Sequence, residues 1–160
     1  MEKVSVVKCM SYDSERVRKA LLKSLKNIDF DLRKIRGKKV LIKPNVLSPS
    51  SPEKAITTHP VVLEELCKIL KEYKVEIIIG DSSAHDTDEA LKKTGIARLK
   101  RYAKILNFES CEKKFFYFNK KFSKVPLPKI LFQVDLVINV AKLKTHSLTK
   151  ATLCVKNLYG

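Results

Sequence analysis

The sequence lacks the signatures of several common kinds of functional site. Its cysteines stand singly, at Cys9, Cys67, Cys111 and Cys154, with no C-x-x-C spacing. Because clustered iron–sulfur and structural zinc ligands normally show such spacing, we expect reduced, mostly buried thiols and no disulfide framework. The chain also has no G-x-G-x-x-G, no P-loop lysine motif, no G-x-S-x-G and no H-E-x-x-H. Nicotinamide, P-loop and α/β-hydrolase chemistry therefore have no support, and no metal ligands are predicted.

Long hydrophobic runs are missing as well. No apolar stretch reaches the roughly 18 residues that cross a bilayer. The N-terminus begins Met-Glu-Lys-Val-Ser and does not read as a secretory signal. We therefore expect a cytoplasmic protein without membrane contact. The length of 160 residues suits one domain, residues 1–160, with a hydrophobic core of its own.

Acidic residues are scarce, since 33 Lys and Arg stand against 17 Asp and Glu, a net charge of +16. Such an excess favours contact with anions. Residues 96–129 hold ten of the basic residues, two acidic ones and seven aromatic ones. This basic-aromatic segment suits a surface for single-stranded nucleic acid. It equally suits a buried face that includes Phe116 and Phe118, behind a rim of solvated lysines of the kind common on thermophile surfaces.

Three short apolar stretches, 40–42, 77–79 and 136–140, are typical of strands buried on both faces. Each runs directly into polar residues: the first into Lys43 and Asn45, the second into Asp81 and Ser82, and the third into Lys142, Lys144 and His146. We expect an α/β fold with an open, mainly parallel sheet and helices on both faces, a Rossmann-like three-layer arrangement. A small β-rich insertion is predicted near residues 105–125.

Other patterns predict local structure. Alternating valines predict a first strand over residues 3–9. Residues 105–108 and 115–118 read as two strands that form an antiparallel or edge pair. A last helix is expected over residues 150–158.

The strand ends predict a binding site. Because ligands bind outside the carboxyl ends of the strands in an open parallel sheet, we expect the polar residues to gather in one anion-binding pocket. A helix capped by Thr57 or Thr58 would add a positive dipole end. His146 and His59 are the candidates for proton transfer near neutral pH. The predicted ligand-binding residues are Lys43, Asn45, Thr57, Thr58, Asp81, Ser82, Lys142, Lys144, Lys156 and Asn157.

Several of these segments also follow the order of a known motif series. They are Ile42-Lys-Pro-Asn45, Thr57-Thr-His-Pro60, Gly80-Asp-Ser82, Thr94-Gly95, Asp135-Leu-Val-Ile-Asn139, Lys142-Leu-Lys-Thr-His146 and Thr152-Leu-Cys-Val-Lys-Asn-Leu-Tyr-Gly160. In this order and spacing, the chain resembles the domain-of-unknown-function family number 362 across nearly its whole length. The closing Lys-Leu-Lys-Thr-His and Lys-Asn-Leu-Tyr-Gly motifs are the most specific.

The resemblance implies further properties. That family is largely uncharacterised, many members are longer, and some carry a ferredoxin-like module with clustered cysteines, which hints at redox chemistry. Since this chain has no clustered cysteines, an iron–sulfur cofactor is implied only by analogy, and no cofactor is assigned. Similar proteins continue beyond Gly160, so the resemblance implies that residues 1–160 are the N-terminal part of a longer family domain.

Three functions are compatible with these observations. The first is a domain of an enzyme that binds an anionic small molecule through the lysines and uses His146 or His59 for proton transfer. The second is a single-stranded nucleic-acid binder that uses residues 96–129. The third is a non-catalytic subunit that self-associates or is completed by a partner chain, because hydrophobic surface would otherwise stay uncovered.

Overall fold

The computed structural model describes residues 2–117 and 124–159. Its α-helices are α1 (Ser14–Asn27), α2 (Pro60–Glu72), α3 (Thr87–Lys93) and α4 (Cys154–Leu158). Its strands are β1 (Lys39–Lys43), β2 (Glu76–Asp81), β3 (Lys104–Asn107), β4 (Lys113–Phe116), β5 (Val125–Pro128), β6 (Leu136–Asn139), β7 (Lys144–His146) and β8 (Lys150–Thr152). Short 3-10 helices lie at Leu32–Ile35, Pro52–Lys54, Ile96–Arg101 and Lys129–Phe132.

Four strands form a parallel sheet in the order β3-β2-β1-β6. β1 is buried from Val40 to its end and β2 from Ile77 to its end. A strand that is covered on both faces is apolar throughout rather than alternating, which is why these runs could be recognised in the sequence. The prediction of an α/β fold with a mainly parallel sheet is confirmed.

The two faces of the sheet are covered differently. One face carries the larger core, in which β1 and β2 pack against α2, α3 and the 3-10 helix Ile96–Arg101. α1 packs on α2 and adds Leu21 to the edge of this core. The other face buries Leu41, Ile78 and Phe108 beneath the 3-10 helix Lys129–Phe132. The polar residues at the carboxyl ends of the strands therefore lie at one edge of the sheet, between the two hydrophobic cores.

The predicted first strand over residues 3–9 is wrong, because residues 2–10 form no strand. Val4 and Val6 are 88% and 93% exposed. The alternating polar residues face the protein instead, since Lys3 pairs with Asp29 and the Asn27 amide donates to Ser5. Alternation alone does not reveal which set of side chains faces the protein.

The predicted pairing of residues 105–108 with 115–118 is also wrong. β3 is a parallel edge strand of the main sheet, in register with β2 from Ile78 onward. β4 pairs antiparallel with β5 in a separate hairpin. Phe118, the last residue of the second predicted strand, lies outside the described residues.

The last helix is shorter than the predicted 150–158. Lys150 has a φ of 66° and begins β8, which pairs antiparallel with β7. α4 then begins at Cys154. A residue with a left-handed backbone conformation cannot start a right-handed helix, so the chain reverses direction here and the helix starts four residues later than predicted.

Candidate functional site

The carboxyl ends of β1, β2 and β6 lie side by side, with Lys43 in register with Asn139. A cavity of about 220 Å³ opens at these ends, and we call it the crevice. Six of the predicted ligand-binding residues line it: Lys43, Asn45, Asp81, Ser82, Lys156 and Asn157. Thr57, Thr58, Lys142 and Lys144 are outside its lining. Thr58 contacts the crevice residue Asn45, and Lys144 is near enough to the crevice residue Lys156 for their charges to interact.

A buried ion pair forms the floor of the crevice. The Lys43 ammonium contacts the Asp81 carboxylate, and both side chains are almost fully buried. The second carboxylate oxygen of Asp81 accepts a hydrogen bond of 2.7 Å from the Val46 N–H. Burial raises the pKa of Asp81 to about 6, against the opposing effects of the Lys43 charge and the backbone donors. Since Asp81 offsets the charge of Lys43, the free positive charge comes from other lysines.

Lys142, Lys144 and Lys156 supply that charge, and we call them the lysine cluster. Burial lowers the pKa of Lys144, and the nearby charges of Lys156 and Lys142 lower it further. The Lys144 ammonium donates to the carbonyl of Ile56 at 2.5 Å, and the Lys142 ammonium lies 3.2 Å from the hydroxyl of Tyr12. In the described part of the chain, no carboxylate forms an ion pair with any of the three lysines. The cluster is therefore a concentration of positive charge.

Thr58 joins two of the strand ends. Its hydroxyl donates to the carbonyl of Val140 at 2.6 Å and accepts from the N–H of Asn45 at 2.8 Å. The predicted helix cap at Thr57 or Thr58 is therefore wrong, and His59 is the N-cap of α2. Thr58 has a tertiary partner on the neighbouring strand end, which a local capping pattern cannot reveal.

Three polar atoms near the lysine cluster are buried and have no hydrogen-bond partner among the described residues: Asn45 Oδ1, Thr57 Oγ1 and Thr152 Oγ1. Thr152 lies opposite Lys144 in the β7–β8 hairpin. Thr57 follows Ile56, which binds the Lys144 ammonium. A buried polar group without a partner is costly, so these atoms are available to a further polar partner, and of the three residues Asn45 lines the crevice.

His59 lies at the edge of the lysine cluster. Its ring stacks on Tyr12, with the centroids 3.6 Å apart and the planes 5° from parallel. Its Nδ1 accepts from the Val61 N–H at 3.3 Å. Burial lowers the pKa of His59, and the charge of Lys142 lowers it further, while Glu53 raises it. His59 is therefore a neutral imidazole near pH 7, with its proton on Nε2.

His146 has a local role in the hairpin. Its Nδ1 accepts from the backbone N–H groups of Leu148 and Thr149, each at 3.2 Å. These bonds close the turn between β7 and β8. Of the two predicted proton-transfer residues, His59 is thus the one with charged side chains of the site around it.

Two asparagines join α4 to the sheet, and one of them, Asn139, was not among the predicted site residues. The Asn157 amide donates to the carbonyl of Pro44 at 3.0 Å and to the Asn139 side chain at 2.8 Å. Asn139 in turn donates to the carbonyl of Cys154 at 2.7 Å. Asn139 follows the apolar residues of β6 just as Lys43 follows those of β1. This position at a strand end is the sequence pattern that indicates Asn139 as a site residue. Tyr12 had no such signal, because its segment joins the site through tertiary contacts alone.

The cysteines do not form a ligand set for an iron–sulfur cluster. Cys67, on α2, is buried in the larger core, whereas Cys111 is half-buried on the opposite face of the sheet. Cys9 and Cys154 are exposed, so the prediction of mostly buried thiols is wrong; all four cysteines are free. Among residues 2–117 and 124–159, no three His, Cys, Asp or Glu side chains come together as metal ligands.

In the described part of the basic-aromatic segment, some aromatic rings pack against the protein and others are exposed. Phe108 is buried, and Phe116 stacks on Phe132 with ring centroids 5.0 Å apart. The Lys124 ammonium lies 4.1 Å above the ring of Phe115. Tyr117 is 74% exposed. The remaining aromatic residues of the segment's second half, at 118 and 122, lie outside the described residues.

Fold and site together define an α/β domain with cationic and amide groups at the carboxyl ends of a parallel sheet. The chain belongs to the family described as Domain of unknown function (DUF362), whose family model matches residues 40–160. It is similar to a thylakoid-associated protein of Synechocystis sp., with 30% identity over 125 residues. The match covers 78% of this chain and 39% of that protein, so the chain spans about two fifths of the relative's length.

No solved structure matches the chain. Among the described residues, no helix has the length and apolar character needed to span a bilayer.

Proposed function

We propose that this chain is the anion-binding α/β domain of an enzyme that acts on a small anionic molecule. The lysine cluster is the observation that carries the proposal. Burial lowers the pKa of Lys144, and the charges of Lys156 and Lys142 lower it further; a bound anion would relieve the repulsion among the three ammonium groups. Phosphate and carboxylate are the groups that suit such a cluster.

The surrounding atoms support the same proposal. The unpartnered hydroxyls of Thr57 and Thr152 would donate to anion oxygens beside Lys144. The amide of Asn157 is already used by Pro44 and Asn139, so Asn157 holds α4 and Lys156 in place. Of the lysine cluster, Lys156 lines the crevice of about 220 Å³, and a phosphate or carboxylate at the end of the crevice nearest Lys144 would be held by both lysines.

His59 is the proposed proton-transfer residue. Because its Nδ1 accepts from Val61, the neutral ring carries its proton on Nε2 and donates a hydrogen bond there. To transfer a proton as a general acid, the ring must first be protonated on Nδ1, which breaks the bond from the Val61 N–H. The same bond occupies one of the N–H groups at the start of α2. The helix therefore contributes its dipole more than free donors to the anion.

Inorganic phosphate is the simplest probe of the site. Isothermal titration calorimetry in low salt should detect binding to the unmodified protein. Lys144→Ala should weaken it roughly tenfold or more, since one charge-assisted hydrogen bond contributes about 1.5–3 kcal/mol. Lys23→Ala removes the same charge from an exposed position on α1 and should leave the affinity unchanged.

Two results would reject the proposal. One is the absence of any phosphate binding to the unmodified protein. The other is an equal loss in Lys144→Ala and Lys23→Ala, because that would mean that the overall charge of +16, and no particular site, attracts phosphate. Unfolding transitions of both variants check that the fold is intact.

A further inference from the structure

We infer that the anion bound by this domain carries an apolar tail, which lies in a groove that opens from the crevice. The inference rests on the proposed function and specifies the class of ligand. The groove has a volume of about 790 Å³, within the range of roughly 300–1,000 Å³ that is typical of small-molecule sites. It shares Lys43, Ser82 and Ser83 with the crevice. A molecule whose anionic end is at the crevice therefore has a direct path into the groove.

One wall of the groove is β5. Pro126 and Pro128 have no backbone N–H, and Val125 and Leu127 present aliphatic side chains. The register places Leu127 opposite Lys114 in the β4–β5 hairpin. This wall offers few hydrogen-bond donors and much apolar surface, so it suits an alkyl chain or a ring.

Further apolar surface comes from residues tied to the polar site. Phe108 and Leu131 line the groove and pack in the second core. The Phe108 N–H donates to the Asp81 carbonyl at 3.0 Å. A Cβ atom on Gly80 would overlap the Phe108 ring, so glycine at this position lets the ring lie against β2. The position of Phe108 is thereby linked to the strand end that carries Asp81.

The last turn of the described chain also lines the groove. Leu158 and Tyr159 line the groove although they are 56% and 89% exposed. They follow Lys156 and Asn157, which line the crevice. The charged residues that line the groove are Lys43, Glu109 and Lys113. Lys43 forms an ion pair with Asp81, and Glu109 and Lys113 carry opposite charges. The groove therefore carries little net charge and favours a neutral tail.

The matched probes are methyl phosphate and hexyl phosphate, because both have the same anionic group and differ only in the tail. Each fully buried methylene group contributes about 0.8 kcal/mol, roughly a fourfold gain in affinity. With five additional methylene groups in an open groove, we expect hexyl phosphate to bind at least tenfold more tightly in calorimetric titrations of the full chain. Leu127→Ser and Tyr159→Ser should reduce that ratio and leave the affinity for methyl phosphate unchanged. Leu22→Ser on α1 is the control and should preserve the ratio.

The outcomes separate the two proposals. If neither phosphate binds, the proposed function fails, and this inference fails with it. If both bind equally well, the anion site stands and the apolar tail is rejected. A preference for hexyl phosphate that survives both groove variants would also overturn the inference, because the tail would then lie elsewhere. Tyr159→Ser removes an exposed side chain, so it remains informative if Leu127→Ser does not fold.

Discussion

At the residue scale, the side chain of His59 has partners in both the fold and the site. Nδ1 caps α2, the ring stacks on Tyr12, and Lys142 acts on its charge. A histidine whose protonation is disfavoured in the folded state makes stability depend on pH. The pH dependence of the protein's stability therefore tests whether the surroundings of His59 disfavour its protonated form.

We predict that His59 makes the folded protein less stable in mild acid. Folding lowers the pKa of His59 below its usual value near 6.5. The unfolded chain therefore binds more protons at His59 than the folded chain does. As a result, the free energy of unfolding falls as the pH drops below about 6.5, where His59 of the unfolded chain becomes protonated. His59→Asn keeps a good cap without titrating. Urea unfolding at pH 7.5 and pH 5 should show the unmodified protein losing stability relative to His59→Asn, by less than about 1 kcal/mol because the ring is partly exposed.

A constant difference between the two proteins at both pH values would contradict this account. His85 and His146 are present in both proteins, so the comparison isolates His59. Binding of phosphate to each protein, measured at pH 7.5, shows in addition whether the ring contributes to the anion site.

At the element scale, β1 and β2 are joined at their ends by Lys43 and Asp81 as well as by the backbone ladder. Breaking a buried pair by removing one partner leaves an uncompensated charge, whereas replacing both partners by neutral groups is often tolerated. The raised pKa of Asp81 indicates that desolvation outweighs the attraction of the pair. The pair therefore holds two strand ends together at a cost in burial.

We predict that Asp81→Ala destabilises the protein by about 3–5 kcal/mol, because Lys43 stays buried without a partner. The double variant Lys43→Met with Asp81→Asn removes both charges, and its new amide oxygen can still accept from the Val46 N–H. It should recover most of the loss in urea unfolding measurements. A loss below about 1 kcal/mol in Asp81→Ala, or a double variant as unstable as the single one, would show that the pair is unimportant for folding.

The strands also show which parts of the structure the sequence could predict and which it could not. The strands β1 and β2 were predictable because burial on both faces requires an unbroken apolar run. β6 has a similar apolar run although it is a half-buried edge strand. The parallel pairing of these strands placed Lys43, Asn45 and Asp81 at one edge. The pairing of Lys43 with Asp81 joins residues far apart in the chain, so no local pattern contains it. The prediction of a strand over residues 3–9 was wrong because valines that face solvent alternate in the same way as valines that face a core.

At the scale of the whole molecule, a high positive charge is combined with exposed apolar side chains. The exposed side chains of β7, β8, α4 and their connections include Leu143, Leu148, Leu153 and Val155. Exposed apolar groups concentrated in one region favour contact with another chain, whereas a charge of +16 opposes contact between two copies. The balance between these effects depends on salt.

We therefore predict that the protein self-associates as the salt concentration rises. Screening shortens the range of charge repulsion from about 30 Å at 0.01 M to about 8 Å at 0.15 M ionic strength, while apolar contacts persist. Sedimentation velocity at both salt concentrations should show a larger species at the higher one. The double variant Leu148→Ser with Val155→Ser should stay monomeric.

Nucleic-acid binding would have the opposite dependence on salt, because phosphate contacts weaken as salt rises. A monomer at every salt concentration would argue against a subunit that associates with copies of itself. Titration of the protein with a single-stranded oligonucleotide at the same two salt concentrations distinguishes nucleic-acid binding from self-association.

α4 gives the proposed ligand a mechanical role. This five-residue helix is held at its start by Asn139, which donates to the Cys154 carbonyl, and near its end by Asn157, which donates to Pro44 and Asn139. It lines both the crevice and the groove, so a molecule that occupied both would brace α4 along its length. Loss of the asparagine contacts would then loosen the walls around the anionic head and around the apolar tail together.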